Sequence, residues 1–438
     1  MNFSKKLKES FFQQNSFAIY GLGITGRSVI NFLRKKRADN FLIWDDNKTV
    51  RDFHRINKKY KEKHFEKILD VIDWIILSPG INIKRSRLKK KLIKNKHKII
   101  TDLDLFYILN PKIQSIVVTG SNGKSTTCKI IETVLKKNNI KVKLGGNIGK
   151  PILDLVVKKD SIIIIEASSF QLEYSQFISP SYAMILNITN DHLDWHITMK
   201  NYMDSKFKIF KNQQKNDFAF LNNKKLTNYY RKNNFKGKLI FVSVKNYQIV
   251  RKKIRNIYLK STINDENMSF VYQLAKKFNI NDRSFVRSVN FFKGLEHRHE
   301  IFLKKKDITF INDSKATSFE ATKQALMSNK NIYWILGGLP KKKDYFHLKN
   351  FKKIIIKAYV IGKNSSFFIK QIRKNIPYTI SRNMKNAINN IYKDIKVGGN
   401  SKKTILLSPA AASFDQYKNF ENRGVYFKKL IMGKFKRS

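Results

Sequence analysis

Short apolar runs recur along this chain, and glycine or polar residues follow each of them. In the first quarter the runs are SFAIY (16–20), FLIW (41–44) and VIDWIIL (71–77). Helical patterns lie between these runs, and strands that alternate with helices are typical of βαβ units with a parallel sheet. Residues 1–109 are therefore predicted to form one α/β domain.

The same pattern predicts two further α/β domains, at 110–293 and 294–438. Their predicted strands include SIVVT (115–119), SIIII (161–165), AMILN (183–187), ITFIN (308–312), IYWIL (332–336), KAYVI (357–361) and TILL (404–407). The stretch 211–260 is rich in Lys and Asn and has the weakest pattern, so we expect edge strands and loops there. Ligands bind at the carboxyl ends of strands in open α/β sheets, which directs attention to the strand ends.

The string GSNGKST (120–126) follows the strand SIVVT and leads into a helical pattern. Glycines let backbone N–H groups turn toward phosphate oxygens, and the helix N-terminus adds positive potential. Lys124 can reach the outer phosphates, and Ser125 or Thr126 can bind Mg²⁺ through a hydroxyl. Val118 stands where the standard GxxxxGK[ST] motif has its first glycine, so a chance match in a lysine-rich chain is the alternative. The strand before the string and the helix after it favour a nucleotide-phosphate site.

A second glycine string, GLGITG (21–26), also lies between a strand and a helix. Its default interpretation is NAD or FAD binding, with Asp45 or Asp46 on a ribose hydroxyl about 20 residues later. The same geometry can hold any diphosphate. A tight turn without a ligand is the structural alternative.

Candidate metal ligands lie at two strand ends of the second block. Glu166 ends one strand, and His192 follows the strand AMILN. We predict that these strands are neighbours, which would bring Glu166 and His192 together beside the phosphate loop. Oxygen ligands with one imidazole suit Mg²⁺ or Mn²⁺ better than zinc. A helix cap is the alternative role for His192, and the roles of three further histidines are left open: His196, His297 and His299.

The charge is extreme, with 88 Lys and Arg against 32 Asp and Glu, a net charge of +56. Binding to nucleic acid and attraction to anionic membranes are two interpretations. The third is compositional drift, because Lys, Asn, Ile and Phe are abundant throughout. The excess follows no single stripe and lacks zinc-finger or RNA-binding signatures, which favours drift.

The remaining composition points to a soluble cytoplasmic protein. Of 438 residues, 42% are hydrophobic and 13% aromatic, which excludes a disordered tail or a collagen-like repeat. Cys128 stands alone, so no internal disulfide can form. The N-terminal stretch has no signal-peptide pattern, and no apolar run approaches the ~20 residues that span a membrane.

Eight strings in the chain are similar, in their order, to those of the Mur ligases. They are GSNGKST, GGNIGKP, EASSFQLE, NITNDHLD, the lysine of YMDSK, GLEHRHE, INDSKATS and LLSPAAASFDQYKNFENRG. The Mur ligases are ATP-dependent amide-forming enzymes of bacterial cell-wall synthesis, and the last string resembles that of their D-glutamate-adding branch. The resemblance implies a Rossmann-like N-terminal domain, a central P-loop-type ATPase domain and a dinucleotide-binding-like C-terminal domain. The implied reaction adds D-glutamate to UDP-N-acetylmuramoyl-L-alanine through an acyl phosphate, with ATP and two Mg²⁺ ions.

The resemblance also implies site residues. For ATP these are Gly120, Ser121, Asn122, Gly123, Lys124, Ser125, Thr126, Asn264, Arg298 and Asp313. For the UDP sugar they are Gly23, Thr25, Gly26, Asp45, Gly80 and Asn147, and for D-glutamate Lys315, Thr317, Lys341, Ser413 and Phe420. The implied metal ligands are Ser125, Glu166, His192 and a carbamylated Lys206. Lys124, His192 and Lys206 are the implied catalytic residues. We expect a monomer that acts on small molecules, without nucleic acid and without membrane insertion.

The chain departs from the family pattern in places. In the stretch 261–267, near the expected adenine site, Ser261 replaces a glycine and Ile263 a histidine. Asn47 replaces an arginine near the expected UDP site. GGLPKKKDY contains three consecutive lysines, so Lys341 as the D-glutamate contact is a choice of register. Another Mur ligase or a folylpolyglutamate-type ligase is the alternative within the class. A nucleic-acid-dependent NTPase and a non-catalytic binding module are the alternatives outside it.

Overall fold

The computed structural model describes residues 5–53, 62–158, 160–260, 262–341, 344–397 and 402–435. The chain divides into two compact units, Met1–Phe292 and Lys293–Ser438. The described residues form three sheets, two in the first unit and one in the second, with helices between the strands. The predicted fold class, α/β with mostly parallel sheets, is confirmed. None of the described helices is long and apolar enough to cross a membrane.

The first sheet has four parallel strands in the order β2-β1-β3-β4. These strands are β1 (Phe17–Tyr20), β2 (Phe41–Trp44), β3 (Trp74–Leu77) and β4 (Ile99–Ile100). The accompanying helices are α1 (Lys5–Gln14), α2 (Ile24–Lys35), α3 (Lys48–Phe53), α4 (Glu62–Ile68), α5 (Lys89–Lys94) and α6 (Asp102–Leu109), with 3-10 turns at Ile83–Arg85 and Lys96–Lys98.

Alternate residues of β1 enter different clusters of the hydrophobic core. Ala18 and Tyr20 pack in one cluster, and Phe17 and Ile19 pack in another. All four side chains are fully buried. Burial on both faces explains why the strand is an unbroken apolar run, as is typical of parallel sheets between helices.

The second sheet is parallel, in the order β10-β9-β8-β5-β7-β6. The strands are β5 (Ser115–Thr119), β6 (Val142–Gly146), β7 (Ile162–Glu166), β8 (Tyr182–Ile185), β9 (Phe218–Leu221) and β10 (Lys238–Phe241). The helices are α7 (Lys124–Lys137), α8 (Ser169–Tyr174), α9 (Leu193–His196), α10 (Met199–Phe207), α11 (Lys224–Lys232), α12 (Val244–Arg251), α13 (Thr262–Lys277) and α14 (Asp282–Asn290), with 3-10 turns at Ile152–Asp154, Lys208–Phe210 and Ile257–Lys260.

The expectation of only edge strands and loops over 211–260 is wrong in part. Strands β9 and β10 do end the sheet, but helices α11 and α12 lie beside them. In α11 the buried side chains Leu226, Thr227 and Tyr230 lie at helical spacing. Lysine, arginine and asparagine fill most of the other positions, and this composition favoured loops over the helix that the spacing indicates.

The third sheet forms the second unit, in the order β11-β12-β16-β13-β14-β15. Strand β11 is antiparallel to β12, and the other pairs are parallel. The strands are β11 (Glu300–Lys305), β12 (Ile308–Asn312), β13 (Ile332–Gly337), β14 (Ile355–Ile361), β15 (Tyr378–Arg382) and β16 (Lys403–Leu407). The helices are α15 (Phe319–Met327), α16 (Ser365–Ile372), α17 (Met384–Val397) and α18 (Phe420–Phe435), with a 3-10 turn at Lys349–Phe351.

Candidate active site

The phosphate loop, residues 120–123, joins β5 to α7. Strand β5 lies between β7 and β8, and its residues Ile116, Val117 and Val118 are fully buried. Gly123 precedes α7 with a left-handed φ of 85°. The first N–H groups of a helix have no partner within that helix, so this end of α7 is suited to an anion.

Two lysine amines meet at this loop. Lys124 Nζ donates to the carbonyl oxygens of Gly120 and Ser121, both at 2.8 Å. Lys206 Nζ, from α10, donates to the same Gly120 oxygen at 2.9 Å and to Thr119 Oγ1 at 3.4 Å. The Lys206 side chain is 1% exposed. Burial, with the nearby charge of Lys124, holds the pKa of Lys206 well below its usual value. A neutral amine at this position is a nucleophile as well as a donor.

Glu166, at the end of β7, lies beside the phosphate loop because Glu166 pairs with Val118 of β5. The side chain is 2% exposed. Its Oε1 accepts from Asn147 Nδ2 at 3.0 Å, whereas its Oε2 is buried and has no hydrogen-bond partner among the described residues. A buried carboxylate oxygen without a donor fits a hard cation such as Mg²⁺.

His192 occupies a different position from the one we expected. The predicted adjacency of the two strands is wrong, because β5 lies between β7 and β8. His192 follows β8 with a left-handed φ of 53°, lies partly exposed beside Asp191, and its ring is 4.7 Å from that of Phe170. Among the described residues no three His, Cys, Asp or Glu side chains form a metal-binding group.

Sequence reasoning missed Tyr202 beside the loop and left the role of His196 open. Tyr202 Oη lies 3.0 Å from Ser121 Oγ, and Lys206 Nζ lies 4.6 Å from the centre of the Tyr202 ring. Buried His196 stacks on Phe170, with its Nε2 3.0 Å from Ser169 Oγ. Burial, then the charge of Lys206, lowers the pKa of His196 to about 4, so this ring is neutral. Tyr202 and Lys206 are four residues apart on one helix, so their side chains lie on the same face. This spacing could have predicted that the tyrosine is a neighbour of the lysine.

Helix α13 contacts the loop through a different asparagine from the one we named. A Cβ atom built on Gly123 would lie 2.3 Å from Asn267 Oδ1, so Asn267 packs directly on this glycine. Asn264, one of the predicted ATP residues, donates to the carbonyl oxygen of Tyr258 at 2.8 Å. Ser261 and the side chain of Ile263, two positions that depart from the family pattern, lie outside the described residues.

The glycine string of the first sheet forms a tight turn after β1. A Cβ on Gly26 would lie 2.0 Å from the carbonyl oxygen of Gly21, which excludes any side chain there. Asp45, at the end of β2, accepts from the backbone N–H groups of Leu22 and Asn47, each at 2.8 Å. Both oxygens of Asp45 therefore already bind the protein and shape the turn. Thr25 is half-buried at the start of α2, and Gly23 and Gly80 are exposed.

In the second unit, Asp313 follows β12 and is buried. Its carboxyl accepts from Ser408 Oγ at 2.7 Å and from the His299 N–H at 3.0 Å. Burial raises the pKa of Asp313 to about 7, against the nearby charge of Arg298. Arg298 Nε is buried and has no hydrogen-bond partner in the part of the chain that the structure describes. Arg298 and Asp313, the two predicted nucleotide residues of this unit, are therefore close enough for the charge of Arg298 to act on the Asp313 carboxyl.

Four of the predicted D-glutamate residues lie on two segments of the second unit and at the start of α18. Lys315 and Thr317 follow β12, and buried Ser413 follows β16. Lys315 Nζ lies 5.0 Å from the centre of the Phe420 ring. Lys341 is exposed after β13. The carboxyl ends of three neighbouring strands therefore carry most of this set.

Comparisons with known proteins show which proteins this chain is similar to. Residues 15–101 match the MurD-like N-terminal domain of Mur ligases, and residues 118–282 match the Mur ligase middle domain. A UDP-N-acetylmuramoylalanine–D-glutamate ligase from Rickettsia felis is 35% identical, with 95% of this chain and 97% of that protein covered. A ligase of the same name from Buchnera aphidicola is 36% identical, covering 94% and 96%.

A solved structure shares the fold. The MurF ligase of Thermotoga maritima, determined in complex with ADP, has a TM-score of 0.54 at 15% identity, covering 86% of this chain and 94% of that one. Identity this low shows the fold alone. The near-complete coverage of relatives above 30% identity is decisive, and this chain belongs to the UDP-N-acetylmuramoylalanine–D-glutamate ligase family.

Proposed function

We propose that the chain joins D-glutamate to UDP-N-acetylmuramoyl-L-alanine and consumes ATP, releasing ADP and phosphate. The names of the two relatives described above state UDP-N-acetylmuramoylalanine and D-glutamate as the molecules that are joined. The observation that carries the proposal is the phosphate loop at the end of β5. Two lysine amines lie there with a buried carboxylate oxygen that has no hydrogen-bond partner within the described ranges.

The proposed reaction has two steps. The carboxylate of the alanyl group attacks the γ-phosphorus of ATP, so that an O–P bond forms, the bond to ADP breaks and an acyl phosphate results. The amine of D-glutamate then attacks the acyl carbon, and phosphate leaves as the amide bond forms. The amine loses its protons to a base that we do not assign.

Lys124 would turn from the loop carbonyls toward the β- and γ-phosphates when ATP binds. The N-terminus of α7 and the loop residues Gly120, Ser121, Asn122 and Gly123 would cradle the phosphates. Such fixed charges and N–H groups stabilise a transferring phosphoryl group because they need little rearrangement during the reaction.

The proposal includes two Mg²⁺ ions. Ser125 and Glu166 would hold the first ion, and His192 and Lys206 would hold the second. Lys206 would serve after carbamylation, in which the neutral amine attacks carbon dioxide, forms an N–C bond and loses a proton. The lowered pKa of Lys206 supports this step, because only the neutral amine is nucleophilic. When bound, the ions would neutralise charge on the phosphoryl oxygens.

The remaining roles follow the predicted residues of each unit. Gly23, Thr25, Gly26, Asp45 and Gly80 would form the UDP site, where Asp45 would act by holding the glycine turn. Asn147 would contact the muramoyl-alanyl portion, close to Glu166. Asn264, Thr126, Arg298 and Asp313 would complete the ATP site, and Lys315, Thr317, Lys341, Ser413 and Phe420 the D-glutamate site.

We further propose a cytoplasmic monomer with three functional domains at 1–109, 110–293 and 294–438. Cys128 is the single cysteine and is buried, so the fold does not depend on an internal disulfide or on an oxidising compartment. Light scattering of the purified protein tests the monomer, and a dimer mass would contradict it. Fractionation of cells that produce the protein tests the compartment.

The test of the reaction is phosphate release from ATP with UDP-N-acetylmuramoyl-L-alanine and a panel of D- and L-amino acids. We expect release only when the UDP sugar and D-glutamate are both present. Release with another amino acid would reassign the second unit to another Mur-type or folylpolyglutamate-type substrate. Release stimulated by DNA or RNA alone would overturn the proposal and make the net charge the functional feature.

A further inference from the structure

Arg423, in the first turn of α18, is one of the largest fully buried side chains of the protein, at 1% exposure. Its Nε and Nη2 donate hydrogen bonds, whereas its Nη1 is buried without a hydrogen-bond partner among the described residues. Burial lowers the pKa of Arg423 to about 10, so the side chain stays charged at neutral pH. Burial of a cation costs free energy when no carboxylate is hydrogen-bonded to it. Stability alone therefore does not explain why an arginine occupies this position.

The guanidinium joins two segments that follow different strands. Nε donates to Ser314 Oγ at 3.0 Å and Nη2 to the Ser314 carbonyl oxygen at 2.7 Å, in the segment after β12. Nη2 also donates to the Ala411 carbonyl oxygen at 2.9 Å, in the segment after β16. The first segment continues to Lys315 and Thr317, and the second continues to Ser413.

The same contacts extend to the start of α18. Ser314 Oγ, which accepts from Arg423, donates to the carbonyl oxygen of Phe420 at 2.8 Å. The serine hydroxyl is therefore fixed as acceptor on one side and donor on the other. This arrangement holds Phe420 next to Lys315, whose amine faces the phenyl ring.

A third segment, after β13, is attached through Ala412. Ala412 and Leu339 exchange two backbone hydrogen bonds, at 2.9 and 3.0 Å, and Lys341 is two residues beyond Leu339. Gly338 makes this approach possible, because a Cβ there would lie 2.3 Å from the Ala412 carbonyl oxygen and 3.2 Å from Arg423 Nη1.

We propose that Arg423 is the positioning residue of the D-glutamate site, which assembles the site from segments that follow three separate strands. The inference rests on the proposed function, because it concerns the same predicted D-glutamate residues. Arginine is needed since its planar fork donates in several fixed directions, whereas lysine offers one point of charge. Arg423 acts through these segments and is buried from any ligand.

The test compares wild type with Arg423→Lys, which keeps the charge and removes the fork. We expect the KM for D-glutamate to rise about tenfold or more, since small misplacements of positioning groups are costly. The KM values for ATP and the UDP sugar should stay within about twofold, a factor worth only ~0.4 kcal/mol. An unchanged KM for D-glutamate in Arg423→Lys would overturn the proposal.

A partial reaction separates positioning from general damage. Hydroxylamine can replace D-glutamate as a small nucleophile that traps the acyl phosphate as a hydroxamate and needs no amino-acid site. Arg423→Lys should form hydroxamate at a rate within about twofold of wild type, since the ATP-dependent step does not use this site. Equal loss of hydroxamate and amide formation would show disrupted folding instead and overturn the proposal.

Lys357→Met provides the matched control. Lys357 on β14 pairs with Asp394 at 2.9 Å in the same unit, so this variant changes a partly buried cation that is not one of the predicted D-glutamate residues. Its KM for D-glutamate should equal that of wild type, and an increase like that of Arg423→Lys would also contradict the proposal. If wild type shows no dependence on D-glutamate, the proposed function fails and not the role of Arg423 alone.

Discussion

Replacement of Gly123 by alanine provides a quantitative test of the phosphate loop. Gly123 has a φ of 85°, which costs a residue with a Cβ about 1–2 kcal/mol. The new Cβ would also lie 2.3 Å from Asn267 Oδ1 and 2.9 Å from both Asn267 Cγ and Nδ2. Overpacking of this kind costs about 1–3 kcal/mol, so the total is about 2–5 kcal/mol.

The assay for Gly123→Ala is ATP-dependent phosphate release, with ATP varied at saturating co-substrates. Every ~1.4 kcal/mol that appears in the transition state lowers the rate tenfold, so we expect kcat/KM for ATP to fall about 30-fold or more. Thermal unfolding measures the part of the cost that is lost as stability. A kcat/KM for ATP within about twofold of wild type, with unchanged unfolding, would refute the reasoning.

A double-mutant cycle separates the two costs. Asn267→Ala removes the atoms that a Cβ at position 123 would meet, so the loss in kcat/KM caused by Gly123→Ala should be smaller by about fivefold or more in that background. The cost of the left-handed φ should persist. Gly433→Ala is the control, because Gly433 lies within α18 and a Cβ there would meet nothing within 4 Å. An identical effect of Gly123→Ala in both backgrounds would show that the contact with Asn267 is not responsible.

Three further predictions follow from the buried charges. Lys206→Ala should lose most phosphate release and regain part of it with added acetate or formate, because a small carboxylate can enter the space that the truncated side chain leaves and offer the oxygen ligands of a carbamate. Full activity without added carboxylate would exclude a metal-ligand role. Glu166→Gln keeps the size but not the charge beside Asn147, so the Mg²⁺ concentration for half-maximal phosphate release should rise about tenfold, and an unchanged Mg²⁺ titration would exclude Glu166 as a ligand. Asp313 holds a proton up to about pH 7 when folded, against an ordinary pKa of 3.8, so this group lowers stability as pH rises from about 4 to 7. Urea unfolding from pH 4.5 to 8 should show a smaller decline for Asp313→Asn, and an identical pH profile would contradict the raised pKa.

The strands were predictable because their residues are buried on both faces. SIVVT, SIIII and IYWIL are continuous apolar runs, and each forms a fully buried strand. Helix α11 was missed because basic and polar residues dominate its composition, although its buried side chains lie at helical spacing. The extreme lysine content thus hides a helix when composition is weighed above periodicity.

The local geometry of the phosphate loop was predictable because consecutive residues carry it. The phosphate loop is a local structure, since a strand, a glycine turn and a helix follow one another without interruption. Asp45 shows the limit of this reasoning, because a carboxylate at a strand end can bind a ribose or the backbone, and only the fold shows that it accepts from Leu22 and Asn47. The order of β7, β5 and β8 likewise depends on pairing across the sheet, which periodicity does not encode.

The sequence by itself determined the fold class, the phosphate loop and the family strings, because each is carried by neighbouring residues. Only the tertiary structure decided which of 88 basic residues are unusual. Lys206 differs from a solvated lysine because it is buried against the Gly120 carbonyl, and Arg423 because it joins Ser314 to Ala411. Charge is a property of the residue, whereas desolvation and hydrogen bonding depend on distant segments brought together by the fold.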